Sequence, residues 1–117
     1  MKFVFVADLF LDDIVGGGEL NNEELIRKLL LLGHDVYKIR SHELEVKFIN
    51  SNLDGNYIIG NFINLSEKCK KSLQKVKYVI YEHDHKYLKN RNPAGYKDFI
   101  APKEEIINYN FYEKAII

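Results

Sequence analysis

Two stretches of this sequence carry residue types suited to chemistry. In "DIVGGGEL" (Asp13 to Leu20), three of the chain's seven glycines, Gly16, Gly17 and Gly18, stand together and are followed by Glu19. Glycine runs weaken any regular element they occupy. A cluster therefore marks either a flexible turn or a point where the backbone must approach a ligand closely. A helix starting just after such a turn presents free N–H groups and the positive end of its dipole, which suits an anion, most often phosphate. The dinucleotide fingerprint G-x-G-x-x-G and the phosphate loop G-x-x-x-x-G-K-[ST] are both absent, which disfavours the usual NAD and ATP enzymes.

The second stretch is "YEHDHKYLKNRNPAGYKDF", in which Glu82, His83, Asp84 and His85 are consecutive. Four ionisable residues in a row are poorly explained by core packing. A metal site on His83 and His85 lacks a third ligand at a recognisable spacing, so no metal is assigned. A solvated loop with no task is the plain alternative. The favoured reading is a substrate-contacting histidine, because imidazole can donate to or accept from a hydroxyl and titrates near neutral pH. Downstream, Lys86, Lys89, Arg91 and Lys97, with Tyr87 and Tyr96, form a local basic patch able to hold phosphate or an acidic acceptor. His34 and His42 read as structural.

The elements that must position these residues alternate. "KFVFVA" (Lys2 to Ala7) is an apolar run suited to a strand buried on both faces. Leu20, Leu25, Ile26, Leu29, Leu30 and Leu32 recur at helical spacing from about Glu19, and Gly33 stops that helix. "HDVYKIR" (His34 to Arg40) is a second strand, and "SHELEVKFINSN" a short, imperfect helix from Ser41. "NYIIGNF" gives a third strand centred on Tyr57 to Ile59. "LSEKCKKSLQK" gives a helix capped by Ser66, and Val76 to Tyr81 a fourth strand. Residues 82–102, with both prolines, read as irregular. "KEEIINYNFYEKA" reads as a helix, and "AII" as the start of a fifth strand.

Strands alternating with helices imply an α/β fold, a Rossmann-like, doubly wound parallel sheet. About five strands in the order 3-2-1-4-5 are expected, truncated at the last. In such sheets ligands bind beyond the carboxyl ends of the strands, where strand order reverses, and the first strand usually flanks that point. The apolar ending leads us to expect the front part of something larger or a shortened gene product.

Composition narrows the classes. The 117 residues suit one domain, and 46% hydrophobic content supports a core. Lys plus Arg equals Asp plus Glu at 17 each, so no overall field points to nucleic acid. A lone cysteine, Cys69, excludes an internal disulfide. The apolar run near Met1 is too short for a signal peptide or transmembrane segment, which makes a cytoplasmic location the expectation. A phosphorylatable receiver domain would share early acids such as Asp8, Asp12 and Asp13. It needs an aspartate after the third strand, where this chain has Gly60 and Asn61.

The strand, the "GGGEL" turn, the amphipathic helix and "LLLLGHDVYKI" together resemble the N-terminal domain of retaining glycosyltransferases of the GT-B fold, particularly the family 4-like enzymes. "KYVIYEHDH" resembles that family's later strand ending in a histidine, and "FYEKAII" its following helix and strand. The resemblance covers nearly the whole chain. It implies that residues 1–117 are one Rossmann-like domain, the acceptor-side half of a two-domain enzyme of carbohydrate biosynthesis. On that likeness Gly17 and Gly18, with Gly16, would let a donor diphosphate or an acceptor approach. Glu19 would cap or orient the helix start, and His83 would be the catalytic histidine near the transferred sugar, with His85 and Arg91 on donor or acceptor. The implied partners are a nucleotide-sugar donor, which is a co-substrate with no cofactor besides it, a sugar or glycan acceptor, and a C-terminal domain or second subunit that holds the donor. Little activity is expected without that second part. The third glycine and the Glu82-His83-Asp84-His85 run depart from the family pattern, leaving either histidine as the equivalent one. The alternative is a non-enzymatic Rossmann-like module that binds sugar or protein.

Overall fold

A computed structural model of the chain describes residues 1–81, 89 and 106–115. In chain order these residues form β1 (Lys2–Ala7), α1 (Gly17–Leu31), β2 (Asp35–Arg40), a 3-10 turn (Ser41–Glu43), α2 (Val46–Ser51), β3 (Asn56–Ile59), α3 (Glu67–Leu73), β4 (Lys77–Ile80) and α4 (Tyr109–Lys114).

The pairings among the four described strands are all parallel. β1 pairs with β2 from Lys2↔Asp35 to Ala7↔Arg40, and on its other side with β3 from Phe3↔Asn56 to Val6↔Ile59. β3 in turn pairs with β4. The order is therefore β2-β1-β3-β4, with four strands among the described residues. This corrects the expected 3-2-1-4-5 arrangement: the third strand lies beside β1, not outside β2. Burial gives the reason. β3 pairs with β1 on one edge and β4 on the other, and its Tyr57, Ile58 and Ile59 are all buried, the apolar composition of an interior strand. β2 carries exposed Asp35, Tyr37 and Lys38, the composition of an edge strand. The expected fifth strand at "AII" falls mostly on Ile116 and Ile117, outside the described residues.

Alternate side chains of each strand point to opposite faces, and each face has its own core. Val4, Val6, Tyr57, Ile59 and Tyr78 pack with Leu44, Ile49, Cys69, Leu73 and Phe111, which come from the chain around α2, α3 and α4. Phe5, Ala7 and Ile58 pack with Phe10 and with Ile26 of α1. Helices thus cover both faces, as a doubly wound sheet requires.

Several local expectations need correction. α1 begins at Gly17, two residues early, and its inward face is Asn22 and Ile26 with Leu25 and Leu29 beside them. Leu20, Leu30, Leu31 and Leu32 are exposed. The expected helix from Ser41 is broken in two, because Leu44 and Glu45 are extended. The last helix was expected from Lys103, but residues 106–108 are not helical. Asn108, at φ 59, lies in the left-handed region and breaks any helical continuity there. Ser66 does cap α3, its hydroxyl accepting from the Cys69 N–H at 3.2 Å.

Candidate functional site

Strand order reverses between β1 and β3, since the chain leaves β1 for β2 on one side and returns to β3 on the other. The crevice expected of such a sheet lies at the carboxyl ends of these two strands. Two loops meet there: residues 8–16, leading to α1, and residues 60–66, leading to α3.

Asp8 joins them. It follows the apolar run of β1 directly and is only 7% exposed. Its Oδ2 accepts from the Ile63 N–H and its Oδ1 from the Asn64 N–H, both at 2.9 Å. Both oxygens of one carboxylate are therefore used to fix the second loop against the first. Gly60 completes the junction. A Cβ there would come within 3.2 Å of Asn22 Nδ2 and 3.4 Å of Phe5 Cε1, so the absence of a side chain lets α1 approach the end of β3. Leu9, Ile14, Val15 and Ile63 are exposed around this junction and give the crevice an apolar lip.

Gly16 is the N-cap residue of α1, in extended conformation and without a side chain to cap the helix. Its carbonyl accepts from the Leu20 N–H at 2.9 Å. Glu19, in the first turn, folds back so that Oε2 lies 3.3 Å from where a Cβ on Gly16 would stand. A carboxylate in this place suits the helix dipole and competes with any other anion for it. Gly17 is exposed, and a Cβ there would meet open space. Of the three glycines, then, Gly16 ends the loop, while Gly17 and Gly18 form the first turn of the helix.

The flank towards β2 is held by ion pairs. Arg40, the last residue of β2, grips Asp13 with two bonds, Nε to Oδ2 at 2.8 Å and Nη2 to Oδ1 at 2.6 Å. Asp13 also accepts the Phe10 N–H at 3.0 Å. The Arg40 bonds, followed by the Phe10 bond, hold the Asp13 carboxyl down at about 2, from an ordinary 3.8. Asp13 in turn raises the Arg40 guanidinium above its ordinary value. Lys38 lies 3.7 Å from both Asp12 and Glu23 and over the Phe10 ring. The basic side chains at this end of β2 are therefore matched by acids of the first loop and of α1.

The glycine turn and Glu19 thus lie at the rim where the crevice was expected. β4 ends on the same rim, with the Tyr81 N–H donating to the Ile59 carbonyl at 2.8 Å. Parallel neighbours lie about 5 Å apart, which separates β4 from β1 by roughly 10 Å across β3. His83, His85 and Arg91 lie outside the described residues. Asp8, Asn22, Gly60 and the Arg40–Asp13 pair were not among the expected site residues. A charged residue directly after a buried strand was the signal that would have found Asp8. His34 bonds the chain's amino terminus through Nδ1 at 3.1 Å, at the opposite rim, and exposed His42 lies near Glu43. Among the described residues no group of three or more His, Cys, Asp or Glu side chains could hold a metal ion, and no helix is long and apolar enough to cross a membrane.

Comparison with protein-family models, with characterised proteins and with solved structures found no match.

Proposed function

We propose that this chain is the acceptor-side domain of a sugar-nucleotide-dependent glycosyltransferase, working with a second domain or subunit that holds the donor. The observation that carries this reading is the meeting, at the β1–β3 switch point, of a glycine-rich helix start with an apolar lip. The glycines leave room for a ligand's approach beside Gly17. Leu9, Ile14, Val15 and Ile63 offer a surface on which a second domain can close and exclude water. The acids of the first loop and Glu19 occupy the rim with negative charge, which favours placing the donor's diphosphate on the partner domain's side of the cleft. In this reading Gly16, Gly17, Gly18 and Glu19 line the donor–acceptor cleft from the α1 side. His83 hydrogen-bonds the transferred sugar, and His85 and Arg91 contact donor or acceptor. The nucleotide sugar is a co-substrate, and no bound cofactor takes part.

Amide spectra of the labelled chain, titrated with UDP, GDP and their sugars, test the assignment. Shifts at Gly16 to Glu19 and at His83 are expected. A spectrum unchanged at all of them refutes donor contact. The second reading is a sugar- or protein-binding module without chemistry. The Glu19 carboxylate at the helix start favours it, since that charge already occupies the place a phosphate would take.

A further inference from the structure

A second concavity lies between α3, the β3–α3 loop at Phe62 and Ile63, and the chain leading into α4. Its volume is about 730 Å³, within the range of small-molecule sites. Its charge is unlike that of the rim. Among the described residues Lys70, Lys71 and Lys89 line it, and Glu67 is the one carboxylate beside them. Lys70 is the structural member of the three. Its side chain is 12% exposed, and its ammonium bonds Glu67 Oε1 at 3.0 Å and Asn108 Oδ1 at 2.9 Å while lying over the Phe62 ring. These bonds tie α3 to the left-handed residue that starts α4. Glu67 is thereby committed to Lys70, whereas Lys71 and Lys89 have no carboxylate partner among the described residues.

The other lining groups have a different chemistry. Gln74 and Asn110 offer side-chain amides, each able both to donate and to accept, which is what a ring of hydroxyls requires. Tyr109, 65% exposed, presents a ring against which the apolar C–H face of a pyranose can pack. Lysines act as point charges and suit phosphate.

We infer that this cavity is a binding site for a phosphorylated sugar, with Lys71 and Lys89 on the phosphate, Gln74 and Asn110 on the hydroxyls and Tyr109 against the ring. The inference does not rest on the transferase reading: its charged and polar groups come from α3, α4 and Lys89, although Phe62 and Ile63 of the β3–α3 loop also line the cavity.

The test is an amide-shift titration of the full chain with glucose 6-phosphate, glucose, glucuronate and inorganic phosphate in parallel. Glucose 6-phosphate is expected to give saturable shifts at Lys71, Gln74 and Asn110 and to bind at least about tenfold more tightly than glucose or inorganic phosphate. Glucuronate is expected to bind more weakly than glucose 6-phosphate; tighter binding overturns the phosphate assignment. The K71A/K89A variant should lower the affinity for glucose 6-phosphate about tenfold or more. Y109A should weaken glucose 6-phosphate while leaving inorganic phosphate unchanged. Both changes lie at exposed side chains, and the single variants K71E and K89E repeat the charge test should the double variant not fold. Absence of saturable shifts at those three residues, undiminished binding by the lysine variants, or inorganic phosphate binding as tightly as the sugar phosphate would overturn the inference. Because the shifts are read at α3 and α4, the outcome is separable from that at Gly16 to Glu19.

Discussion

The carboxylate of Asp8 accepts the backbone N–H of Ile63 at 2.9 Å, joining two residues 55 positions apart in the chain. With the matching bond from Asn64, it makes the two walls of the switch-point crevice one piece. The acceptor is a buried carboxylate, and bonds to an ionised acceptor are stronger than neutral ones. Asp8→Ala is therefore expected to destabilise the fold by about 1.5–3 kcal/mol in denaturant unfolding. Asp8→Asn should recover little of this, because its amide NH2 would face one of the two donors. Full recovery in the Asn variant would show that the charge and the second oxygen are dispensable.

Arg40 and Asp13 give the rim a defined response to acid. The Asp13 carboxyl is held at about 2 in the fold, against 3.8 ordinarily, so the folded state binds its proton less readily than the unfolded chain. The stabilisation is fully present above 3.8 and is lost as pH falls from there through 2. Carboxyl NMR titration of Asp13 should place its midpoint near the lower value. In Arg40→Gln that midpoint should rise towards the ordinary one. A midpoint unmoved by that substitution would assign the shift to the Phe10 N–H instead.

Gly60 tests the close approach of α1 to β3. A methyl group there would stand 3.2 Å from Asn22 Nδ2, with Phe5 and Ala7 behind it, and the surrounding side chains are buried. Gly60→Ala is expected to cost about 1–3 kcal/mol, the usual range for overfilling a packed interior. Gly33→Ala is a useful contrast, because a Cβ there meets nothing within 4 Å and only its φ of +88 resists. Its expected cost is about 1 kcal/mol, through backbone strain alone. Equal tolerance of both substitutions in thermal unfolding would mean that Asn22 moves aside freely.

The parts of this fold that were legible in the sequence are the local ones. Val4 to Ala7 announced a doubly buried strand, Ser66 a helix start and Gly33 a helix stop. Each of these is decided by a few neighbouring side chains. The strand order was not legible, because it depends on which edge of β1 receives residues 56–59, a choice made by packing partners some fifty residues away. The leucines of α1 misled for a related reason. Their spacing fits a helix, yet the inward face turns on Asn22 and Ile26, leaving Leu30 to Leu32 outside. At the site, the glycine turn could be read from "GGGEL". Asp8 itself had a signal, a charged residue directly after a buried strand, but its partners did not, since they are backbone N–H groups that have no signature in the sequence.

Gly17 separates the two explanations of the triple glycine. It lies in the first turn of α1, exposed, with open space where a Cβ would stand. As a purely structural position it is a poor choice: alanine restricts the unfolded chain and favours the helix, so Gly17→Ala should stabilise the protein by about 0.5 kcal/mol. If the glycine leaves room for a ligand at the crevice, the same methyl group obstructs that approach. The expected result is therefore a pair of opposite changes: a higher midpoint in thermal unfolding, and several-fold smaller shifts at Gly16 to Glu19 on titration with nucleotide sugars. A variant that gains stability and keeps its full response to those ligands would make the glycines a turn device and move the binding surface elsewhere on the rim.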